Sequence, residues 1–276
     1  MSEPDPPRET WDEENYEHLR LTRQGFAAIV TLDRPDLHNA FNERLIGEIQ
    51  RAFERLSEAE DIRAVVLQGA GKSFCAGADL NWMRASLDFT HDENIADALK
   101  LSDMLRAIDA CRHPVIGRIH GAALGGGAGL IAVCDIAIAA EGTRFGFTEA
   151  RLGIAPAVIS QFVVPKIGQS HARALFLTAE RFDTQRALAI GLIHQVIPLD
   201  ELDAAVRKTL SEIGQSGPAG VRAAKMLART VMSLEPDEAR QTTAATIAGL
   251  RVSPEGQEGI RAFLEKRRAA WAPDDV

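Results

Sequence analysis

The residues of this chain best suited to chemistry have almost no side chain. Gly125-Gly126-Gly127 follows a short apolar run, and Cys75-Ala76-Gly77-Ala78-Asp79 sits in a turn after another. Glycine is poor helix and strand material, so such turns can lay backbone N–H groups bare beside a ligand. Two turns that each follow a strand can aim one amide each at a single point. The amides of Ala78 and Gly126 are the two candidates, and such a pair around a carbonyl oxygen is an oxyanion hole. Each donor of this kind supplies about 2.7–4 kcal/mol of transition-state stabilisation. The run from Ala128 to Val133 can start a helix whose N-terminus adds partial positive charge. Glu149, further along the same stretch, is the carboxylate that could move a proton.

Other chemistries fail on spacing. A dinucleotide fingerprint needs G-x-G-x-x-G, but counting from Gly125 and Gly127 places Leu130 in the last position, although Glu149 stands 20 residues beyond Gly129. Gly71-Lys72-Ser73 lacks the earlier glycine of a P-loop, and no G-x-S-x-G elbow occurs. His120, alone before the glycines, reads as structural. Asp135 is expected to bond backbone at a strand start. The three cysteines, Cys75, Cys111 and Cys134, lie in apolar or small-residue settings. Cys75 and Cys134 read as small buried hydrophobes, and the odd, small number of cysteines suggests a reducing compartment with no disulfide framework and no metal spacing.

The elements that must position these residues alternate. His18–Thr22 and Phe26–Leu32 read as strands around a Gln24-Gly25 turn. Arg34 to Asn42 is loop, with Asn42 a good N-cap for a helix over 43–58, whose stripe is Leu45, Ile49, Phe53 and Leu56. Strands follow at 64–68 and 115–119, separated by a helix that opens at a Thr90–Glu93 capping box. Strands at 135–139, 145–147 and 194–197 alternate with helices over 158–168, 170–178 and 183–190. From residue 200 only helices are expected, at 201–213, 218–231, 237–250 and 254–269. The pattern divides the chain into a disordered segment over 1–14, a layered α/β body over 15–199 and a helical region over 200–276.

The totals agree with one soluble globular protein of 276 residues, 46% of them hydrophobic. Net charge is −8 and aromatics make up 5%, which argues against nucleic-acid partners. No apolar run approaches the roughly 18 residues of a membrane span, and the acidic, Pro-rich start lacks the form of a signal peptide. A cytoplasmic protein is expected.

Taken together, Arg34-Pro35, Asn39-Ala40, Phe74–Asp79, His120-Gly121, Gly125–Gly127, Cys134–Ile136, Phe145–Glu149 and Phe263–Arg268 resemble the crotonase, or enoyl-CoA hydratase/isomerase, superfamily. The ordered motifs span nearly the whole chain. The resemblance implies an α/β crotonase-like spiral of ββα units with a C-terminal helical region that packs into trimers or hexamers. It implies an acyl-CoA substrate whose thioester oxygen is held by Ala78 and Gly126, with no metal or redox cofactor, coenzyme A being part of the substrate. It also implies CoA-thioester contacts from Arg34, His38, Ala40, Ala76, Asp79 and Leu80. Gly125, Gly129 and Lys266 complete the implied set, Lys266 from a basic end of the last helix.

Three positions depart from the superfamily pattern. Gly129 stands where two-carboxylate hydratases carry Glu, Asn81 where many members are basic, and Ala157 where many have Gly. Gly153 to Ser160 is most similar to bacterial methylglutaconyl-CoA hydratases. The expected reaction is therefore hydration of a short or branched 2-enoyl-CoA with Glu149 as the one carboxylate left. Isomerisation between α and γ carbons needs only one carboxylate and is the alternative; a non-catalytic acyl-CoA-binding member is the other.

Overall fold

The computed structural model describes residues 9–10 and 16–273. Strand β1 (Glu9–Thr10) pairs antiparallel with β2 (Leu19–Gln24), which pairs antiparallel with β3 (Ala27–Leu32) across the Gly25 turn. The remainder of segment 1–14 lies outside the described residues. Helix α1 (Glu43–Glu58) starts where Asn42 Oδ1 accepts from the Leu45 amide at 2.8 Å. Its buried stripe contains the four apolar residues that the spacing picks out.

β4 (Ala64–Gly69) runs parallel to β3. Next come α2 (Leu80–Ala85) and α3 (His91–Ala110), the latter opened by the Thr90–Glu93 capping box. β5 (Val115–Ile119), the short β6 (Ala122–Leu124) and α4 (Gly126–Ala132) carry the glycine cluster. They lead through β7 (Ile136–Ala140) and β8 (Arg144–Gly146) to α5 (Ala157–Thr178). Gly168, at φ 79°, breaks α5, so the two helices expected there meet at a kink. β9 (Arg181–Phe182), α6 (Thr184–Ala189) and β10 (Gln195–Ile197) finish the body. Helices α7 (Leu202–Gln215), α8 (Pro218–Thr230), α9 (Pro236–Val252) and α10 (Pro254–Leu264) follow.

The seven-stranded sheet has the order β1-β2-β3-β4-β5-β7-β10, and β6-β8-β9 forms a smaller one. One face of the large sheet (Leu21, Val30, Val65, Leu67, Val115) joins α1, α3, α4 and α5 in the main core. The other (Ile29, Val66, Ile116, Ile138) is covered by Leu202, Val206 and Leu210 of α7. A sheet buried on both faces explains why its central strands are continuously apolar rather than alternating.

Several boundaries shift by a residue or two from the sequence reading, and two differences bear on the expected site. α10 ends at Leu264, five residues before the expected end at 269, and Lys266 adopts φ 55° beyond it. α4 begins on Gly126, not Ala128; close packing against the neighbouring turn overrides the poor helix propensity of glycine there. Among the described residues no helix is long and apolar enough to cross a membrane.

Candidate active site

The two glycine turns are stitched together. Cys75 N donates to Ala122 O at 3.0 Å and Leu124 N to Cys75 O at 3.1 Å. A Cβ on Gly127 would lie 2.2 Å from the Cys75 carbonyl oxygen, and one on Gly77 would lie 2.8 Å from that of Leu124. Both therefore have to be glycine for the turns to approach so closely. Gly125 also requires it, at φ 51° and with its amide bonded to Gly146 O at 2.8 Å.

This stitching exposes the two proposed donors. Phe41 forms an isolated parallel bridge with Ala78, in which Phe41 N donates to Gly77 O and Asp79 N to Phe41 O. The flanking residues make those bonds, so the N–H of Ala78 itself points away from Phe41. Gly126 is the first residue of α4, where an amide has no partner one turn earlier. Ala76, Ala78, Gly125, Gly126 and Glu149 all line one cleft of about 350 Å³. Its walls are α2 and α3 on one side and residues 148–158 on the other, and they are mainly apolar, including Trp82, Met83, Leu101, Leu152 and Val158.

Glu149 is half-buried, and its Oε2 is fully enclosed with no hydrogen-bond partner. Burial raises its carboxyl above the ordinary value, with a small opposing effect from its own backbone amide. A neutral carboxylic acid near its working pH can give a proton as well as take one. The Oε1 atom lies 3.2 Å from where a Cβ on Gly125 would be, which puts the acid beside the glycine turn.

The remaining residues implied to touch substrate divide into support and surroundings. Arg34 does not offer its charge to a ligand: Nη2 donates to Asp79 Oδ2 at 2.8 Å and Nη1 to Ala40 O at 2.5 Å, with the Arg34 side chain 10% exposed and that of Asp79 6%. Asp79 in turn caps α2, accepting from Asn81 N at 2.7 Å. Burial would raise the Asp79 carboxyl, but Arg34 and the Asn81 and Trp82 amides outweigh it and hold it below the ordinary value. His38 turns the loop at φ 51°, accepts from Ala76 N through its carbonyl at 2.9 Å and contacts Ser73 Oγ through Nδ1 at 3.1 Å. Leu80 is exposed beside the cleft.

Arg34, His38, Ala40, Asp79 and Leu80 thus lie outside the cleft lining, and so do Lys266 and Gly129. Lys266 lies in the exposed turn beyond α10. Gly129 is buried: a Cβ there would come within 2.5 Å of Ile159 Cγ2 and 3.9 Å of Leu105 Cδ1. Ile159 occupies the space that a side chain at 129 would need.

The structural readings of other residues hold. His120 Nε2 contacts Gly71 O at 2.9 Å, and burial holds its imidazole below the usual range. Asp135 Oδ2 accepts from Val115 N at 2.7 Å and pairs with Lys225 Nζ at 2.6 Å. Cys75 and Cys134 are buried thiols pushed up to about 12 by desolvation, so neither is a nucleophile at neutral pH.

Sequence reasoning missed Asp97. It stands on α3, lines the same cleft as Glu149, and is a second carboxyl group there. Its signal was position: Asp97, Leu101 and Leu105 recur at intervals of four residues, so Asp97 extends the core-facing stripe of α3 by one turn.

Ala78, Gly126 and the half-buried Glu149 line one mainly apolar cleft of a two-sheet body, an arrangement of backbone and carboxyl groups suited to binding an oxyanion and moving protons. The enoyl-CoA hydratase/isomerase family matches residues 22–274, and the chain belongs to that family of enzymes, which act on acyl-CoA. It is 33% identical over 256 residues to the crotonyl-CoA hydratase of Syntrophomonas wolfei, covering 92% of this chain and 97% of the relative. Among solved structures, an enoyl-CoA hydratase from Shewanella pealeana superposes with a TM-score of 0.89 at 40% identity, covering 93% of this chain and 96% of that one. AtuE from Pseudomonas aeruginosa superposes at 0.91 and 34% identity, covering 93% of this chain and 100% of that one.

Proposed function

We propose that the enzyme adds water across the double bond of a short or branched 2-enoyl-CoA thioester, giving the 3-hydroxyacyl-CoA. The observation that carries this reading is that Ala78, Gly126 and the half-buried Glu149, with one oxygen enclosed and unpartnered, line one apolar cleft. Addition at the β-carbon pushes electrons onto the thioester oxygen. The two amides are fixed in place before charge develops there, which is where preorganised donors lower a barrier most. Glu149 then protonates the α-carbon. The Ala40, Ala76 and Leu80 region, held by Arg34, Asp79 and His38, receives the CoA arm. The reaction calls on no metal or redox cofactor.

The cleft favours small acyl groups. About 350 Å³ lies at the lower end for ligand sites, and Trp82, Met83 and Leu101 close its apolar wall. The exposed Val252, Phe263 and Leu264 of the C-terminal helices are proposed to be covered by further copies of the chain, as a trimer or hexamer in the cytoplasm; light scattering of the purified protein tests the assembly.

The activity test is a panel of 2-enoyl-CoA substrates followed by loss of the conjugated enoyl absorbance. Glu149→Gln should lower kcat about 10²-fold or more. Conversion of a 3-enoyl-CoA to its 2-enoyl isomer, with no water added to any 2-enoyl substrate, would replace hydration by isomerisation. No turnover of either substrate type, with tight acyl-CoA binding, would replace it by a binding role.

A further inference from the structure

Hydration moves two protons: one leaves water and one joins the α-carbon. The position from which a second carboxylate would be expected to act is closed, because Ile159 fills the space beside Gly129. Among the cleft's lining residues, only Glu149 and Asp97 can exchange a proton near neutral pH; Ser86, Asn94 and Thr148 can orient a water but cannot accept its proton.

We propose that Asp97 is the general base that takes the proton from the attacking water, while Glu149 is the acid that protonates the α-carbon. This rests on the hydration reading above and assigns its missing half. Asp97 is held on the long helix α3, which is anchored in the core by Met104, Leu105 and Ile108. Its carboxyl interacts with the side chain of Trp82, whose one polar group is an indole N–H that can only donate. A donor on one oxygen fixes the carboxylate and leaves the other for water.

The two environments separate the roles. Burial raises both carboxyl groups. At Asp97 the charged form is favoured by Trp82 and by Lys100, which is paired with Glu43 of α1 at 2.5 Å, against a smaller opposing effect of Glu43 itself. At Glu149 the enclosed oxygen has no partner and no cation lines the cleft, so the protonated form is favoured. Both carboxyl groups stand above their ordinary values, and the donor and the cation beside Asp97 make it the better placed of the two to hold the charged form.

The step balances. A water O–H bond breaks and its proton passes to the Asp97 carboxylate. The oxygen bonds to the β-carbon, and the alkene electrons move to the thioester oxygen between Ala78 and Gly126. The enolate collapses as Glu149 gives its proton to the α-carbon. The enzyme is left with protonated Asp97 and ionised Glu149, and exchange with solvent restores both.

Asp97→Asn keeps shape and an acceptor for Trp82 but cannot take a proton. With crotonyl-CoA it should lower kcat about 10²-fold or more and leave KM within about threefold. In wild type, kcat/KM should fall on the acid side as Asp97 protonates and on the alkaline side as Glu149 ionises. Asp97→Asn should lose the acid limb and keep the alkaline one, with a melting temperature close to that of wild type. A merely structural Asp97 would leave both limbs in place. Hydration by Asp97→Asn within threefold of wild-type kcat, or a change confined to KM, overturns this assignment alone. A wild type that hydrates no member of the panel overturns the hydration reading and this assignment with it.

Discussion

Position 129 gives a sharp test of how the cleft is built. Gly129 lies in the interior of α4 with ordinary helical backbone, so alanine there should gain about 1 kcal/mol of helix propensity. Against that, the new Cβ would meet Ile159 Cγ2 at 2.5 Å and Ile159 Cβ at 3.1 Å, and Ile159 is only 2% exposed. Overpacking of this kind costs about 1–3 kcal/mol, which leaves Gly129→Ala destabilised by about 1 kcal/mol. Ile159→Ala alone should cost about 2–5 kcal/mol through lost burial and a cavity. In the double variant the clash with Cγ2 is gone and the new methyl fills part of the hole. The pair should therefore be less harmful than the sum of the singles by about 1–3 kcal/mol. Urea unfolding at fixed protein concentration and pH reads the four corners of this cycle, fixed concentration being needed under the proposed assembly. Additivity within about 0.5 kcal/mol would refute the claim that Ile159 occupies the space of the side chain missing at 129.

Gly126→Ala would bring a Cβ to 2.8 Å from Phe41 Cε2, against a ring that is fully buried and cannot turn aside. The start of α4 must shift, and a donor displaced by about 1 Å should cost about 10²-fold in kcat, measured on whichever enoyl-CoA the wild type turns over best. Arg34→Met leaves Asp79 buried with its charge partner gone and should destabilise the protein by about 3–5 kcal/mol in denaturant melts. The sign of its pH dependence follows from the lowered Asp79 carboxyl. The ion pair's contribution is fully present above the unfolded aspartate value of about 4 and is lost as pH falls through the lower folded value. The stability gap between wild type and Arg34→Met should thus narrow only in acid; a gap unchanged down to that range counts against the pair.

The longer elements were legible because their signals are local. Asn42 and Thr90 cap the helices they were expected to cap, and the buried face of α1 is its apolar stripe. The short elements were not. β6 consists of Ala122, Ala123 and Leu124, too few residues to show a period, and it is a strand because β8 and the Cys75 turn pair with it. The end of α10 was overread because Lys266 to Ala269 contain good helix formers. Arg267 instead pairs with Glu258 and Glu265, Ala270 N donates to Glu258 Oε1 at 2.9 Å, and these contacts fold the chain back. The charge on Arg34 was readable, but not that Asp79 would consume it from 45 residues away.

The glycine at 129 and the carboxyl group at 97 are linked through the packing of α3. Ile159 and Leu105 are the side chains nearest the space beside Gly129, and Leu105 is two turns along α3 from Asp97. A helix whose inward stripe runs Asp97, Leu101, Leu105 delivers an apolar plug at one end and an acid at the other. Such an arrangement leaves the proposed oxyanion donors untouched, because they are backbone amides fixed by the pairing of two turns rather than by any side chain on α3. The proton-transfer group has no such anchor and can be supplied from whichever wall faces the β-carbon. Gly129 is visible in the sequence as an absence; Asp97 becomes visible only when α3 is laid across the cleft, since nothing in a 32-residue separation along the chain links the two.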